Sequence, residues 1–422
     1  MAVKNYVNKL LKSEYLSNIS IQVFGTGLAQ LIPLLIMPFL SRVYAEQDFA
    51  MYTSFMAVVS VLSVAVGARY QYAIVLPKDD KEGQNIFILS IFSTLFYCAI
   101  IATIILPIFK IFSGGLDNIK WHSILIPLYI LLYGIWLSLI NLSIRYKKFK
   151  VNAFAKITQA VGNSISSLGL GLANISIGLI IGKILGVLGP LFFLTKKMTL
   201  KKLKINVPDL KHVAKKYKDF PLYTIFPSFL DTASLQAPIF LIGKYYTEQE
   251  LGFYGLTFMA IAGPLSILGV SFKDVFYQKI TEMYNNKEYL KVKKIFKSSA
   301  LSLLLIGIPI LVVLAIFGEP LFKFVFGSNW GESGKYASIL AASFIIKLVV
   351  SPLAVIFNVI NKLKTLFMWQ TIYFITTFST LLLSVIVYKV SIVTLLKIYL
   401  IHELLLYALY FILQYAAIKK LK

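Results

Sequence analysis

Roughly a dozen stretches of this chain stay apolar for about 20 residues, the length a helix needs to cross the hydrocarbon of a bilayer. Only short polar connections separate them. Charged residues make up 14% of the 422 and hydrophobic residues 58%, whereas a soluble domain carries about a quarter charged residues. So much apolar surface cannot be hidden in water. The fold class that follows is all-α, a polytopic membrane protein of about 12 transmembrane helices. The expected spans are 18–40, 49–75, 86–112, 122–145, 153–172, 174–195, 221–243, 252–277, 295–317, 338–361, 366–387 and 392–417. The fifth and sixth are rich in Gly and Ser with almost no loop between them, a composition that suits close helix packing in lipid. The first follows Lys4, Lys9 and Lys12 without a small-residue cleavage pattern, so it is expected to be a retained helix.

One long run is unfit for lipid. Thr195–Phe220 holds nine lysines and two aspartates and falls at the midpoint of the chain. It reads as a water-exposed basic connector, 201–220, between an N-terminal six-helix lobe, 1–200, and a C-terminal six-helix lobe, 221–422. The net charge of +24 is not a nucleic-acid signature, because the lysines lie in loops between spans. Counted from the N-terminal side, about 30 of the 42 Lys and Arg fall on that side, and Arg42, Lys110, Lys120, Lys244, Lys323, Lys335 and Lys389 fall on the other. The positive-inside rule then puts both termini in the cytoplasm. Cys98, the sole cysteine, sits in an apolar run and supports neither a disulfide framework nor a thiolate metal site.

The halves repeat. Ser41–Tyr52 (SRVYAEQDFAMY) aligns with Gly243–Tyr254 (GKYYTEQELGFY) at a constant offset of 202, matching Tyr44 with Tyr246, Glu46 with Glu248, Gln47 with Gln249, Asp48 with Glu250 and Tyr52 with Tyr254. With six helices per half the repeats are parallel, the arrangement of carriers built as two bundles around a central cavity. Pro33 and Pro38 in the first span, and Pro227 and Pro238 in the seventh, are expected to interrupt those helices as moving or cavity-lining elements.

Charges deep in a span are costly and usually face a protein interior or a water-filled cavity. The candidates are Arg69, Lys183, Asp231, Lys273, Asp274, Lys347, Lys397 and Glu403, five cations against three anions. Such a cavity favours an anionic substrate, and a planar guanidinium suits phosphate oxygens. Lys273, Asp274 and Lys397 are expected near helix ends, where they can also snorkel. Asp231 and Glu403 are either structural partners of the cations or carriers of a coupling ion, and His402 stands beside Glu403 to tune it. No Walker loop, HExxH or GxSxG occurs, and His122, His212 and His402 are too scattered for a metal site. No catalytic residues, metal or cofactor are expected.

Three stretches carry a resemblance. Ala68–Gly83 (ARYQYAIVLPKDDKEG) resembles the second-helix signature of the Wzx-type polysaccharide flippases, which transport O-antigen and capsule repeat units. IPLLIMPFLSRVYAEQDFAMY resembles the opening of the same family, and Phe326–Leu340 (FGSNWGESGKYASIL) is similar to its motif before the tenth helix. Spread across the chain, these place it in the multidrug/oligosaccharidyl-lipid/polysaccharide exporter superfamily. The resemblance implies a MATE-like fold of two lobes around a central cavity, in the bacterial inner membrane. It implies an undecaprenyl-diphosphate-linked oligosaccharide as substrate, for O-antigen, lipopolysaccharide or another glycan, flipped by alternating access. Membrane lipids and the polysaccharide polymerase machinery are the implied partners, with a proton or sodium ion for coupling. Arg69, Lys183, Lys347 and Lys273 would form the cationic cavity, and Asp231, Glu403 and His402 the coupling site. Gln71 departs from the glutamate that many relatives carry after the Arg-Tyr pair.

Two other readings compete. A cation-coupled drug exporter of the same superfamily would want an acidic cavity. A membrane polymerase or ligase would need a catalytic constellation in an outer loop, where 318–337 offers only Glu319 and Glu332.

Overall fold

The computed structural model describes residues 14–105, 107, 122–198 and 205–421. Lys4, Lys9, Lys12, Lys110, Lys120 and the connector residues Lys201, Lys202 and Lys204 lie outside the described residues. Before the connector come α1 (Glu14–Val43), α2 (Glu46–Leu62), α3 (Asp80–Ile100), α4 (Leu125–Arg145), α5 (Phe149–Leu172) and α6 (Gly178–Lys197). The connector holds α7 (Val207–Lys216). After it come α8 (Asp219–Tyr245), α9 (Glu248–Asn285), α10 (Tyr289–Phe326), α11 (Gly331–Val350), α12 (Leu363–Leu382) and α13 (Ile392–Lys419). Among the described residues, 11 helical stretches are long and apolar enough to cross a membrane, and α5 adds a more polar helix of 24 residues. The chain is a multi-pass, all-α membrane protein. Leu301, Leu305, Ile308, Val312 and Phe317 of α10 are exposed, as a face turned to lipid tails requires.

Two helices outrun their expected spans. α9 and α10 have 38 residues each, about 57 Å at 1.5 Å per residue, while the hydrocarbon core is about 30 Å thick. The stretches 252–277 and 295–317 are only their apolar middles. Lys273 and Asp274, expected near a helix end, therefore lie well inside α9. The proline expectation also needs correcting: α1 runs on through Pro33 and Pro38, and α8 through Pro227 and Pro238. A proline withholds one N–H and crowds one carbonyl, which a long membrane helix absorbs by local adjustment.

The real interruption falls in the second expected span. α2 ends at Leu62, and Ser63–Ala73 follows a tight path in which Val66 is extended and Gly67, Ala68 and Arg69 have φ of 59°, 47° and 64°.

The chain forms two compact units. The first holds residues up to Ile36 together with Ser54–Phe229; the second holds Met37–Thr53 and Leu230–Lys422. The change of unit within α1 falls between Pro33 and Pro38, and that within α8 between Pro227 and Pro238.

In the first unit α5 and α6 pack as their composition predicts. A Cβ on Gly182 would stand 2.2 Å from the Ser167 hydroxyl, and one on Gly186 would stand 2.7 Å from the Asn163 backbone. In the second unit α10 and α11 approach in the same way, with the Gly318 carbonyl 2.3 Å from where a Cβ on Gly334 would sit.

The sequence repeat has a structural counterpart inside the second unit. Helix ends fall at Val43 and Tyr245, and helix starts at Glu46 and Glu248, both at the offset of 202. At the second start Thr247 and Glu250 form a capping box: the Glu250 N–H donates to the Thr247 hydroxyl (3.2 Å) and the Thr247 N–H to the Glu250 carboxylate (2.8 Å). At the first, Ala45 lacks a hydroxyl, but its N–H still donates to Asp48 (3.0 Å). The Phe326–Leu340 motif anchors this region. Trp330 Nε1 donates to the Ser41 carbonyl (2.8 Å), its ring meets Phe49 edge-on at 4.9 Å, and the Ser41 hydroxyl donates to the Phe326 carbonyl (2.8 Å).

Gly186→Leu should wedge α5 from α6 and cost about 3 kcal/mol. Gly169→Ala, where a Cβ would meet nothing within 4 Å, should be neutral. Thermal midpoints of the detergent-solubilised variants, read by fluorescence-detected gel filtration, check both.

Candidate functional site

In the first unit, the left-handed turn at 67–69 presents Arg69. Two successive non-glycine residues at positive φ are unusual, because the Cβ crowds the backbone; such strain tends to mark functional positions. A side chain at Gly67 would be strained by its positive φ, and its Cβ would stand 2.6 Å from the Gln71 side chain, which would have to shift. Gln71 itself is 1% exposed. A neutral amide is far cheaper there than a bare carboxylate.

The return from this turn is clamped by Arg145, at the C-terminus of α4. Its guanidinium donates to the carbonyls of Ile74 (3.0 Å), Pro77 (2.8 Å) and Asp79 (2.8 Å) and pairs with the Asp80 carboxylate (2.9 Å). The side chain is 6% exposed. Carbonyls that leave a helix in an apolar setting need such donors, and one planar fork supplies five bonds to four partners. Helix α7 docks beside it. Lys81 pairs with Asp209 (2.9 Å), Lys216 pairs with Glu82 (2.6 Å), and the Tyr70 hydroxyl donates to the Ala214 carbonyl (3.3 Å). The hydrogen bond from Lys81 holds the Asp209 carboxyl below the usual carboxylate range, and the bond to Glu82 raises Lys216.

Arg69 is half-buried. Its Nε donates to the Thr224 hydroxyl (3.3 Å), its Nη2 donates to the Ser228 hydroxyl, and the guanidinium lies 5.0 Å from the centre of the Tyr72 ring. Among the described residues, no carboxylate forms an ion pair with it. Lys183 of α6 is half-buried, and Arg69 and Lys183 both lie within electrostatic reach of Tyr133.

The second unit contains a cavity of about 800 Å³. Its wall is mostly apolar, with Asp231, Lys273, Lys347, Asn358 and Gln370 as polar points and Trp369, Tyr373, Tyr407 and Tyr410 as an aromatic side. Lys347 of α11 stands at the boundary of this space. Its ammonium pairs with the carboxylate of Glu403 on α13, contacts the Tyr399 hydroxyl (3.3 Å), and lies 5.4 and 5.6 Å from the Tyr399 and Tyr407 ring centres. Glu403 is fully buried and also accepts from the Tyr373 hydroxyl (2.8 Å). His402 turns its Nε2 to the Thr376 hydroxyl (3.2 Å), while its Nδ1 stays 3.6 Å from Glu403.

The family profile described as polysaccharide biosynthesis protein matches residues 39–335. The chain belongs to this family. Among curated proteins none matches the chain. Solved structures with this fold include an inward-facing multidrug resistance MATE family transporter of the MOP superfamily, 14% identical, with a TM-score of 0.65, covering 97% of this chain and 99% of that one. A second is the lipid II flippase MurJ in an inward closed conformation, 14% identical, with a TM-score of 0.73 and coverage of 93% and 86%. A third, from Pyrococcus furiosus, is a MOP superfamily transporter described by the reverse polarity of its binding pocket, 12% identical, with a TM-score of 0.57 and coverage of 96% and 95%. The MATE-like fold holds, and the polysaccharide biosynthesis family agrees with the resemblance that the three sequence motifs carry.

The fold thus gathers Lys347, Lys273 and Asp231 around one cavity with Glu403 behind its wall, and gives Arg69 and Lys183 to the first unit. Lys397 and Asp274 are exposed. Three features were missed from the sequence, the first being the stripe to which His402 and Glu403, already candidates, belong. Tyr399, His402, Glu403, Tyr407, Tyr410 and Gln414 lie at helical spacing and form one polar stripe through an apolar helix, a signal that was there to find. Thr224 and Ser228, four residues apart on α8, gave a weaker one. Arg145 gave none, because it reads as one more loop cation.

Ala68→Gly should relieve the left-handed strain and raise stability by about 1 kcal/mol. Arg145→Ala should cost about 3 kcal/mol or more by stranding three carbonyls. Thermal unfolding of the purified variants reads both, and Arg145→Lys, with no fork, should recover only part of the loss.

Proposed function

We propose that this protein is a flippase that carries an undecaprenyl-diphosphate-linked oligosaccharide repeat unit from the cytoplasmic to the periplasmic leaflet of a bacterial inner membrane. The observation that carries this reading is the state of Arg69. A permanently charged guanidinium, set on a strained turn within an apolar stretch, is held among the described residues by neutral hydroxyls and a tyrosine face. That arrangement fixes its direction and leaves its charge for an incoming anion. A diphosphate meets this need, since its own burial is prohibitive without cationic partners. Lys183 adds a second cation in the first unit, and Lys347 and Lys273 offer two in the cavity of the second. The family's role in polysaccharide biosynthesis supports a glycan cargo, and the likeness to a lipid II flippase supports a lipid-linked one.

In this reading the prenyl tail stays in lipid while the head group passes by alternating access, and a proton or sodium gradient resets the carrier. Asp231 and Glu403, with His402 beside it, are the proposed coupling groups. Both termini face the cytoplasm, and the product is handed to the polysaccharide polymerase machinery. The protein acts as a carrier, not an enzyme. The two carboxylates of the outer connection are engaged locally, Glu319 with Lys323 (2.6 Å) and Glu332 with Lys335 (2.5 Å).

The test is surface glycan in whole cells at matched membrane expression. Arg69→Ala should abolish export while lipid-linked units accumulate inside, and Arg69→Lys should restore part of it. Lys183→Ala and Lys347→Ala should each reduce export about tenfold or more. Normal export by all of these variants would refute the cationic-site reading.

A further inference from the structure

Lys347 differs from Arg69 in one respect: a carboxylate already matches its charge. Glu403 is fully buried, and its carboxylate meets the Lys347 ammonium, the Tyr373 hydroxyl and the more distant His402 Nδ1, with Tyr399 also within hydrogen-bonding reach. Lys347 is 20% exposed on its side chain and forms part of the cavity wall. Of the two charges, therefore, only the ammonium can be reached by a molecule in the cavity. The cavity is largely apolar, with Lys273 as its other cation, which is the environment an amphipathic phosphate would occupy.

We propose that Lys347 is an exchangeable counter-ion: a phosphate entering this cavity takes the ammonium away from Glu403, and Glu403 takes up a proton in return. The step rests on the anionic-substrate reading above. Its balance is simple. The Lys347 ammonium keeps its charge and changes partner, and the Glu403 carboxylate gains one proton from water and becomes neutral, because a buried carboxylate is too costly to leave bare. Binding of the anion and of a proton are thereby linked, and release of the anion returns the proton.

The groups facing the pair decide whether Glu403 is the one that titrates. Asp231 of α8 and Tyr407 of α13 lie within electrostatic reach of Lys347, as does Tyr254 of α9. Tyr373 of α12 already donates to Glu403, and Tyr399 touches the ammonium. His402 is directed to Thr376 on α12. Asp231 lies on the cavity wall with part of its side chain exposed, whereas Glu403 has no exposed surface and already holds the ammonium that would leave. The proton therefore goes to Glu403 when Lys347 leaves.

The experiment is calorimetric titration of the purified full-length protein with farnesyl diphosphate at pH 8, in two buffers of different ionisation enthalpy. Wild type should take up about one proton per ligand bound at this site. Glu403→Gln should abolish the uptake and tighten binding about tenfold, since Lys347 no longer has a competitor. Lys347→Ala should weaken binding by a similar factor. Infrared difference spectra of the wild type keep the test independent of how well the variants fold: a protonated-carboxyl band should appear on ligand addition and persist in Asp231→Asn. Binding without proton uptake or a carboxyl band would overturn the exchange and leave the anion reading standing. Absence of binding to both wild type and Glu403→Gln would overturn the two together.

Discussion

A backbone that leaves the helical path in an apolar environment must find a donor for every carbonyl it frees. The Arg145 guanidinium meets this demand for the stretch after the 67–69 turn, with bonds to Ile74, Pro77 and Asp79 and a salt bridge to Asp80. Without that clamp the turn would have to be paid for elsewhere, and a regular helix through residues 63–73 would be the cheaper structure. Regular winding would remove the positive φ values that aim Arg69 at Thr224 and Ser228. The candidate anion site of the first unit thus depends on an arginine at the end of a different helix. The connector helix α7 reinforces it from the water side through two ion pairs and the Tyr70 bond.

The second unit meets its own cost differently. α9 and α11 stay helical past the points where charges enter, and the charges are accommodated by side chains. A buried carboxylate is tolerated only with a cation and further hydrogen bonds, and Glu403 has Lys347 and Tyr373. Trp369 stacks on Tyr410 at 4.2 Å and on Tyr373 at 5.8 Å, and Tyr407 meets it edge-on at 6.1 Å. They shape a cavity wall that is apolar in area and polar at a few points.

Much of this was legible beforehand, for reasons that differ between elements. The number of long helices follows from apolar length, which the bilayer imposes directly. The 202-residue repeat reproduced its helix ends to the residue because capping chemistry is local: Asp48 and Glu250 each accept the N–H three residues back. The lengths of α9 and α10 were not legible, since a helix continuing into water has no hydropathy edge to announce it. Interruptions were expected at the prolines of the first and seventh spans, whereas the break falls in the second. Its true signal, Gly67 followed by Ala68 and Arg69, needs tertiary donors to exist, and their source at Arg145 lies 71 residues away from Ile74. The candidate charges were picked from their depth in the spans, and the sequence could not say which were already paired.

That difference in pairing separates the two halves more than their shared ancestry of pattern joins them. At the offset of 202, Gly67 corresponds to Gly269 and Arg69 to Ser271, yet α9 continues as a helix through both positions. The second unit has no counterpart of the strained arginine, and its cation comes from α11 with a carboxylate attached. An arginine held by hydroxyls keeps its charge at any physiological pH and can only attract. A lysine held by a buried glutamate can attract only what outcompetes that glutamate, and every such exchange leaves a proton account to settle. On the proposed reading, repeats that keep a common scaffold can therefore divide the physical tasks of a carrier: one unit would supply constant affinity for an anion, and the other would make that affinity conditional.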